Sequence, residues 1–151
     1  MNMSDEPAEK ITIIHVRPGK IPQIVEMEDS LKAMQQMVGG MIEEYMPFYS
    51  ADDERIQDVA LICNDEGKVR RMMPNRTVYG ENGEPLDVIC GDFFLCYAPM
   101  ESERFLSMPE DLQKVFYEKF YYPELFYESD KGLVGRKYEP LKESMHLQQE
   151  R

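Results

Sequence analysis

The sequence predicts an α+β protein in which a small, mostly antiparallel sheet is packed by one short helix and followed by a C-terminal helix with an aromatic segment. Short β-branched and apolar runs, separated by turn residues, recur through the first two thirds of the 151-residue chain. Two stretches instead space their apolar residues three and four apart, as amphipathic helices do. A chain of this length can bury a core without a disulfide or a metal.

A hairpin and a helix are the first predicted elements. Residues 11–16 form a β-branched run, and residues 24–27 are its expected antiparallel partner across a turn that contains proline and glycine. A helix is predicted over residues 31–38, because Asp29-Ser30 offers an N-cap and Gly39-Gly40 offers a left-handed C-cap. So short a helix is unstable alone, and we expect it to pack on the sheet.

Further strands are expected in the middle of the chain, together with a polar loop over residues 50–58. Residues 59–63 are continuously apolar, as in a strand covered on both faces. Asn82-Gly83 is the strongest short hairpin signal and joins two predicted strands. The remaining strand-like segments are residues 41–48, an arm over 68–73, the hairpin strands 77–79 and 86–89, and a single strand over 88–97 with Gly91 as a bulge.

The chain is predicted to divide into four parts: a flexible tail over residues 1–10, an α+β domain over 11–98, a helical aromatic extension packed on it over 99–142, and a frayed tail over 143–151. The extension opens with Ser107-Met-Pro-Glu110, the pattern of a capping box with proline in the first turn. A helix is expected from there to about Tyr121. Its aromatic residues are expected to dock on the domain or to form a protein-binding patch.

Acidity argues against direct binding of nucleic acid. The chain has 29 acidic and 17 basic residues and a net charge of −12, whereas proteins that contact phosphates usually have a basic surface. The plainer explanation of this charge is solubility. The sharper one is a surface that meets a basic partner, for which the candidate residues are Glu43, Glu44, Asp52, Asp53 and Glu54.

A second candidate site uses polar residues around the turns that follow residues 59–63. Asn64, Asn75 and Arg76 could converge on a small ligand, with Arg76 offering a fork for a carboxylate or phosphate. The plainer explanation is local turn chemistry, with Arg76 paired to Asp87 or Asp92.

Neither a metal site nor a cofactor motif is predicted. Cys63, Cys90 and Cys96 lie in apolar runs and are expected to be reduced, buried thiols, with the last two too far apart on one strand to share a zinc ion. A nucleophilic Cys63 beside His15 is the weakest hypothesis considered. No signal peptide or membrane-spanning segment is predicted, which favours a cytoplasmic protein.

Three ordered stretches resemble a known family. They are residues 31–43, which join the helix through Gly-Gly to a strand, residues 61–67 leading to Pro74-Asn-Arg76, and residues 87–94. In this order they are similar to the bacterial and phage family catalogued as domain of unknown function 3846, over roughly residues 11–98. The family has no established activity. The resemblance implies an origin in phages, plasmids and conjugative elements, whose small acidic proteins are enriched in inhibitors of host defence.

The leading hypothesis is therefore a non-enzymatic protein from a mobile element. It would bind and inhibit a basic, nucleic-acid-binding host defence protein by occluding its groove, as anti-CRISPR and antirestriction proteins do. A small-ligand, nucleotide-like binding domain is the first alternative. An enzyme of unknown type is the second.

Overall fold

Within residues 9–140, which the computed structural model describes, the chain forms nine β-strands and two α-helices. In chain order these are β1 (Lys10–Val16), β2 (Gln23–Glu28), α1 (Leu31–Val38), β3 (Ile42–Tyr45), β4 (Val59–Asn64), β5 (Pro74–Tyr79), β6 (Pro85–Cys90), β7 (Phe93–Tyr97), α2 (Glu110–Lys119), β8 (Glu124–Ser129) and β9 (Gly132–Lys137). One sheet has the order β2-β1-β7-β4-β3, whereas β5-β6 and β8-β9 are separate hairpins. The strand pairings in this part of the chain are antiparallel, which confirms the predicted fold class.

Helix α1 covers one face of the five-stranded sheet. It begins after Ser30, whose Oγ accepts a hydrogen bond of 3.1 Å from a backbone N–H of the first turn. It ends at Gly39, whose φ of +80° lies in the left-handed region. Met34 and Val38 are buried among apolar side chains of the sheet. The predicted helix and both of its caps are therefore confirmed.

The opposite face is covered by α2 and by the β5-β6 hairpin. Leu112 and Phe116 of α2 and Val78 and Ile89 of the hairpin belong to one buried cluster on this face. Strands β4 and β7 lie in the interior of the sheet between the two layers, and all six residues of β4 are buried. The expectation that residues 59–63 are covered on both faces is confirmed.

The two hairpins differ in how clearly the sequence indicates them. The β5-β6 hairpin turns at Asn82-Gly83, as predicted, with Gly83 at a φ of +80°. The β8-β9 hairpin was not predicted, although Asp130-Lys131 separates two strands that pair in register from Glu124↔Lys137 to Ser129↔Gly132. Strand β5 contacts both strands of this second hairpin.

The prediction of one strand over residues 88–97 is wrong. Strand β6 ends at Cys90 and β7 begins at Phe93, and the two strands belong to different sheets. The chain changes sheet at Gly91, whose φ of +88° a side chain would strain. Cys90 and Cys96 therefore lie on different strands, whereas the sequence analysis placed both on one strand.

Two segments around the polar loops also differ from expectation. The strand arm predicted over residues 68–73 is wrong: residues 68–71 form a turn, in which the N–H groups of Arg70 and Met72 bond to carbonyls four and five residues earlier. Within the loop 50–58, a 3₁₀ helix spans Glu54–Asp58, because the carboxylate of Asp53 accepts from the backbone N of Arg55 at 3.1 Å. The strand predicted over residues 41–48 is confined to Ile42–Tyr45.

The predicted capping box at α2 is wrong. Pro109 precedes the helix and no side chain caps it. The Oγ of Ser107 instead accepts a hydrogen bond from the backbone N of Thr12 at 2.8 Å, which ties the approach to α2 to strand β1. Glu110 and Asp111 place negative charge in the first turn, where the helix dipole favours it.

The frayed tail predicted over residues 143–151 lies outside the described residues, as do the first eight positions of the predicted N-terminal tail. Lys10, the last position of that tail, belongs to β1. Neither helix found between residues 9 and 140 is long and apolar enough to cross a membrane.

Candidate functional site

A candidate site is a cleft of about 360 Å³ bounded by the β5-β6 hairpin, the end of α2 and the β8-β9 hairpin. We call it the lysine cleft after Lys119 and Lys137. The other side chains that matter for its chemistry are Arg76, Thr77, Tyr79, Tyr122 and Glu124. The sequence predicted only Arg76 among these residues.

Two lysine side chains supply the charge of the lysine cleft. The Nζ of Lys137 lies 5.2 Å from the centre of the Tyr79 ring, and that of Lys119 lies 5.8 Å from the centre of the Phe48 ring. Neither ammonium forms an ion pair with any residue between 9 and 140. Burial against apolar neighbours, and then the charge of Lys137, lower the pKa of Lys119 below that of an ordinary lysine. Lys119 keeps contact with solvent, which favours its charged form.

The carboxylate of the cleft, that of Glu124, already accepts hydrogen bonds from Thr77. Glu124 is only 6% exposed, and its Oε2 accepts from the backbone N of Thr77 at 2.9 Å. Its Oε1 accepts from Thr77 Oγ1 at 2.7 Å. Lys137 pairs with Glu124 in the β8-β9 register, yet no ion pair joins the two side chains. Glu124 therefore holds the wall of the cleft together and leaves the lysines without a bonded carboxylate.

Arg76 forms part of the floor of the cleft and is 1% exposed. Its Nε donates to the carbonyl of Phe120 at 3.0 Å, and its Nη2 donates to the carbonyl of Lys20 at 2.5 Å. Its Nη1 reaches Asn75 Oδ1 at 3.0 Å. Burial lowers the pKa of Arg76 to about 10, which still leaves it charged at neutral pH. Arg76 is thus a structural clamp that also adds positive charge beneath the cleft.

The expected pairing of Arg76 with Asp87 or Asp92 is wrong. Asp87 pairs with Lys68, and Asp92 Oδ2 lies within hydrogen-bonding distance of His15 Nε2, at 2.9 Å. Arg76 instead uses backbone carbonyls, because the side chain is buried against the end of α2 and the turn after β1.

The two predicted asparagines lie in different places. Asn75 is fully buried, and its Nδ2 donates to the carbonyls of Val16 and Gly91, each at 2.9 Å. Asn64 is also buried and bonds the carbonyl of Val38 at 3.2 Å, beside a second cleft of about 220 Å³. Asn75 and Arg76 therefore contact each other, while Asn64 lines a different cleft.

The predicted acidic residues do not share one face. Glu43 and Glu44 are neighbours on the edge strand β3, so their side chains point to opposite faces of the sheet. Asp53 forms an ion pair with Arg55 at 2.7 Å, and the hydrogen bonds from Arg55 lower the pKa of Asp53. Asp52 and Glu54 are exposed nearby in sequence.

Cys63 and His15 are not brought together. Cys63 belongs to the buried cluster that contains Val16, so His15, the neighbour of Val16 on β1, points to the other face. Burial, and then the charge of Glu43, raise the pKa of Cys63 to about 12, which keeps the thiol protonated and weakly nucleophilic. All three cysteines are free and buried. Over residues 9–140 no group of three or more His, Cys, Asp or Glu side chains is arranged to hold a metal ion.

Lys119, Lys137 and Glu124 were missed by sequence reasoning. Lys119 was treated as part of an aromatic helix, and Lys137 and Glu124 lay in a segment without an assigned element. The Asp130-Lys131-Gly132 turn between two alternating segments was the available signal for the hairpin that carries both of the latter residues.

Comparison with known proteins gives a family and no activity. Residues 11–121 match the family model described as Domain of unknown function (DUF3846). No curated protein and no solved structure matches the chain. The matched segment extends beyond the predicted resemblance to include α2 and the Lys119 end of the lysine cleft. Since this match covers most of the 151 residues, the chain belongs to the DUF3846 family.

Proposed function

We propose that the protein binds a small anionic ligand in the lysine cleft. The observation that carries this proposal is the convergence of Lys119 and Lys137 on one concave site without an ion pair to any described residue. The protein has a net charge of −12, so most of its surface repels anions. A local cationic cleft is therefore the place where an anion is expected to bind.

The chemistry of the cleft favours a phosphate or carboxylate attached to a planar group. Lysine ammonium groups bind phosphate oxygens as point charges, and an anion between Lys119 and Lys137 would relieve their mutual repulsion. Tyr79 and Tyr122 provide aromatic walls on which a ring can stack. These features support the small-ligand alternative from sequence, with a different set of residues.

The test is calorimetric titration with inorganic phosphate and with AMP, using adenosine as the uncharged control. The Lys119→Gln/Lys137→Gln double variant removes both charges and keeps most of the aliphatic length. Lys131→Gln, in the exposed β8-β9 turn, is the matched control. We expect saturable binding of at least one anion to the native protein and to Lys131→Gln, and a loss of roughly tenfold or more in affinity in the double variant. Equal affinity in the double variant, or no binding of either anion to the native protein, contradicts the proposal.

Arg76→Ala is not a suitable test of ligand binding. The guanidinium bonds four backbone carbonyls and the side chain of Asn75, so its removal is expected to damage the fold as well as the site. The lysines are better targets because they reach the cleft from the surface.

We also propose a second function, inhibition of a basic, nucleic-acid-binding host defence protein in the cytoplasm, on behalf of a phage or another mobile element. It is favoured by the net charge of −12 and by β3, a sheet-edge strand that carries Glu43 and Glu44. An edge strand can pair with an extended segment of a partner, while the glutamates attract basic side chains. Free, buried cysteines agree with a reducing compartment.

The test of this second function is direct binding to purified defence nucleases, such as an RNA-guided nuclease and a restriction endonuclease, at several salt concentrations. We expect an affinity that falls with salt and that Glu43→Lys/Glu44→Lys weakens, together with inhibition of cleavage. Glu128→Lys, on the exposed part of β8, is the control for charge alone. Affinity that is unchanged by the β3 reversal counts against this surface.

A further inference from the structure

We propose that the ligand of the lysine cleft carries a single aromatic ring, and that this ring enters an apolar pocket on the far side of Tyr79 and Lys119. This inference rests on the proposed anion-binding function and narrows its ligand class to monocyclic aromatic phosphates or carboxylates. We call this second cavity the ring pocket. Its apolar lining is chiefly Phe48, Tyr49, Ile56, Val115 and Phe116, and Tyr79, Lys119 and the acidic residue Glu81 complete its rim.

The ring pocket and the lysine cleft are neighbours because they share two side chains. Tyr79 and Lys119 line both cavities. The Nζ of Lys119 lies 5.8 Å from the centre of the Phe48 ring, so its charge is placed at the boundary between the apolar and the cationic space. A ligand with an anionic group attached to a ring would fit both cavities. The anion would lie beside the lysines, and the ring would lie in the apolar space beyond Lys119.

The walls of the ring pocket are preformed. The Phe48 and Phe116 rings meet edge to face with centres 4.9 Å apart and an interplanar angle of 73°. Both residues are buried in the core that includes α2, so their positions are fixed by packing. At the rim, Val115 is 43% exposed and Tyr49 is 55% exposed. An inserted ring would cover this apolar surface and gain the free energy of removing it from water.

The size of the ring pocket decides what kind of ring it takes. Its volume is about 120 Å³. An apolar cavity of about 150 Å³ holds one benzene ring, so the ring pocket suits a six-membered ring better than a fused purine. Its lining is dominated by aromatic and aliphatic side chains, which favours a phenyl-type group over a heavily hydrogen-bonding base.

The experiment compares inorganic phosphate with phenyl phosphate by calorimetry on the native protein and two variants. Val115→Gln places a polar side chain at the rim of the ring pocket from an exposed position of α2, so the fold is expected to survive. Leu125→Gln makes the same kind of change at a more exposed apolar residue of the β8-β9 hairpin and is the control. We expect phenyl phosphate to bind native protein and Leu125→Gln roughly tenfold more tightly than phosphate. Val115→Gln should remove most of that advantage and leave phosphate affinity unchanged.

The outcomes separate the two proposals. If phosphate binds but phenyl phosphate binds no more tightly, the ring pocket is rejected while anion binding stands. If the preference persists in Val115→Gln, the ring lies elsewhere and the inference is also overturned. If neither probe binds the native protein, the ring pocket is rejected, and anion binding is rejected with it if AMP also fails to bind.

Discussion

Glu124 holds Thr77 with both oxygens of its carboxylate, at 2.9 Å to the backbone N and 2.7 Å to Oγ1. Thr77 lies on β5 and Glu124 on β8, and these strands belong to separate hairpins with no strand pairing between them. The Glu124 side chain therefore joins the two hairpins, which have no backbone hydrogen-bond ladder between them. The same contact sets the position of Lys137, which pairs with Glu124 across the β8-β9 hairpin.

Replacing Glu124 with alanine is expected to detach the β8-β9 hairpin from β5. Two bonds to the Glu124 carboxylate are lost and the buried N–H of Thr77 is left without its partner, which together cost about 2–4 kcal/mol of the free energy of unfolding. Urea denaturation and hydrogen exchange over residues 124–137 measure these effects. Glu128→Ala, further along the same strand and exposed, should change stability by less than about 0.5 kcal/mol. Equal stabilities of the two variants would show that the Glu124–Thr77 contact is dispensable.

Gly135→Ala is expected to disturb the same junction by crowding. A Cβ at this position would meet Phe126 Cε1 at 2.8 Å and Thr77 Oγ1 at 2.9 Å, and would also collide with the Glu124 carboxylate. We expect a loss of about 1–3 kcal/mol, measured by urea denaturation. Gly83→Ala provides a contrast, because a Cβ there meets no atom and only the φ of +80° is strained. A Gly135→Ala variant as stable as the native protein would contradict this packing.

Arg76→Ala is expected to destabilise the protein by about 3 kcal/mol or more, because the buried carbonyl of Phe120 and the buried Oδ1 of Asn75 lose their charged donor. Arg76→Lys should rescue only part of this loss, since an ammonium cannot reproduce the planar set of donors that spans Phe120, Lys20 and Asn75. Thermal unfolding of both variants gives the measurement. A lysine variant with full native stability would mean that charge, and not geometry, is what the site needs.

Binding of phosphate is expected to raise the pKa of Lys119. In the free protein, burial and Lys137 lower this pKa, so deprotonation begins at a lower pH than for an ordinary lysine. An anion favours the charged form and must shift the pKa upward, and by linkage phosphate affinity must fall as the pH rises through the pKa of the free protein. An NMR titration of the Lys119 side chain with and without phosphate checks the shift. An unchanged pKa at saturating phosphate would place the anion away from Lys119.

The thiols are expected to make stability depend on alkaline pH. Burial raises the pKa of Cys63 to about 12 and raises those of Cys90 and Cys96, whereas an unfolded cysteine has a pKa of about 8.5. The folded state then holds more protons than the unfolded state above that pH, so the free energy of unfolding falls as the pH rises towards 12. Urea denaturation between pH 7 and 10 tests the slope.

A Cys63→Ser variant supplies the control for that slope, which it should reduce. Thiol labelling at pH 8 should also be slow for all three native cysteines and fast in denaturant, since they are buried and protonated. Fast labelling of Cys63 in the folded protein would contradict both its burial and its raised pKa.

Local chemistry determined much of the first half of the fold. Ser30 and Gly39 end α1 where the sequence places them, because capping depends on residues within one turn of the helix. Asn82-Gly83 likewise makes its hairpin through backbone angles that glycine adopts without strain. In each case the physical cause lies within a few neighbouring residues, so it can be recognised from the sequence alone.

The candidate site depended on contacts that span the chain. Gly91 looked like a bulge in one strand, and only the packing of two separate sheets makes it the point where the chain leaves one for the other. Ser107 matched a capping box, yet its Oγ accepts from the N–H of Thr12, a residue 95 positions away that only the folding of the chain brings within reach.

By itself, the sequence determined the α+β class, the α1 helix with its caps, the β5-β6 turn and the family. Only the tertiary structure decided that Lys119 and Lys137 share a cleft and that Glu124 accepts hydrogen bonds from Thr77. It also decided that Arg76 donates to backbone carbonyls and not to a carboxylate. The physical reason is range: caps and turns are set by neighbours in sequence, whereas charge pairing and cavities are set by whichever side chains the packed sheets bring within a few ångströms of one another.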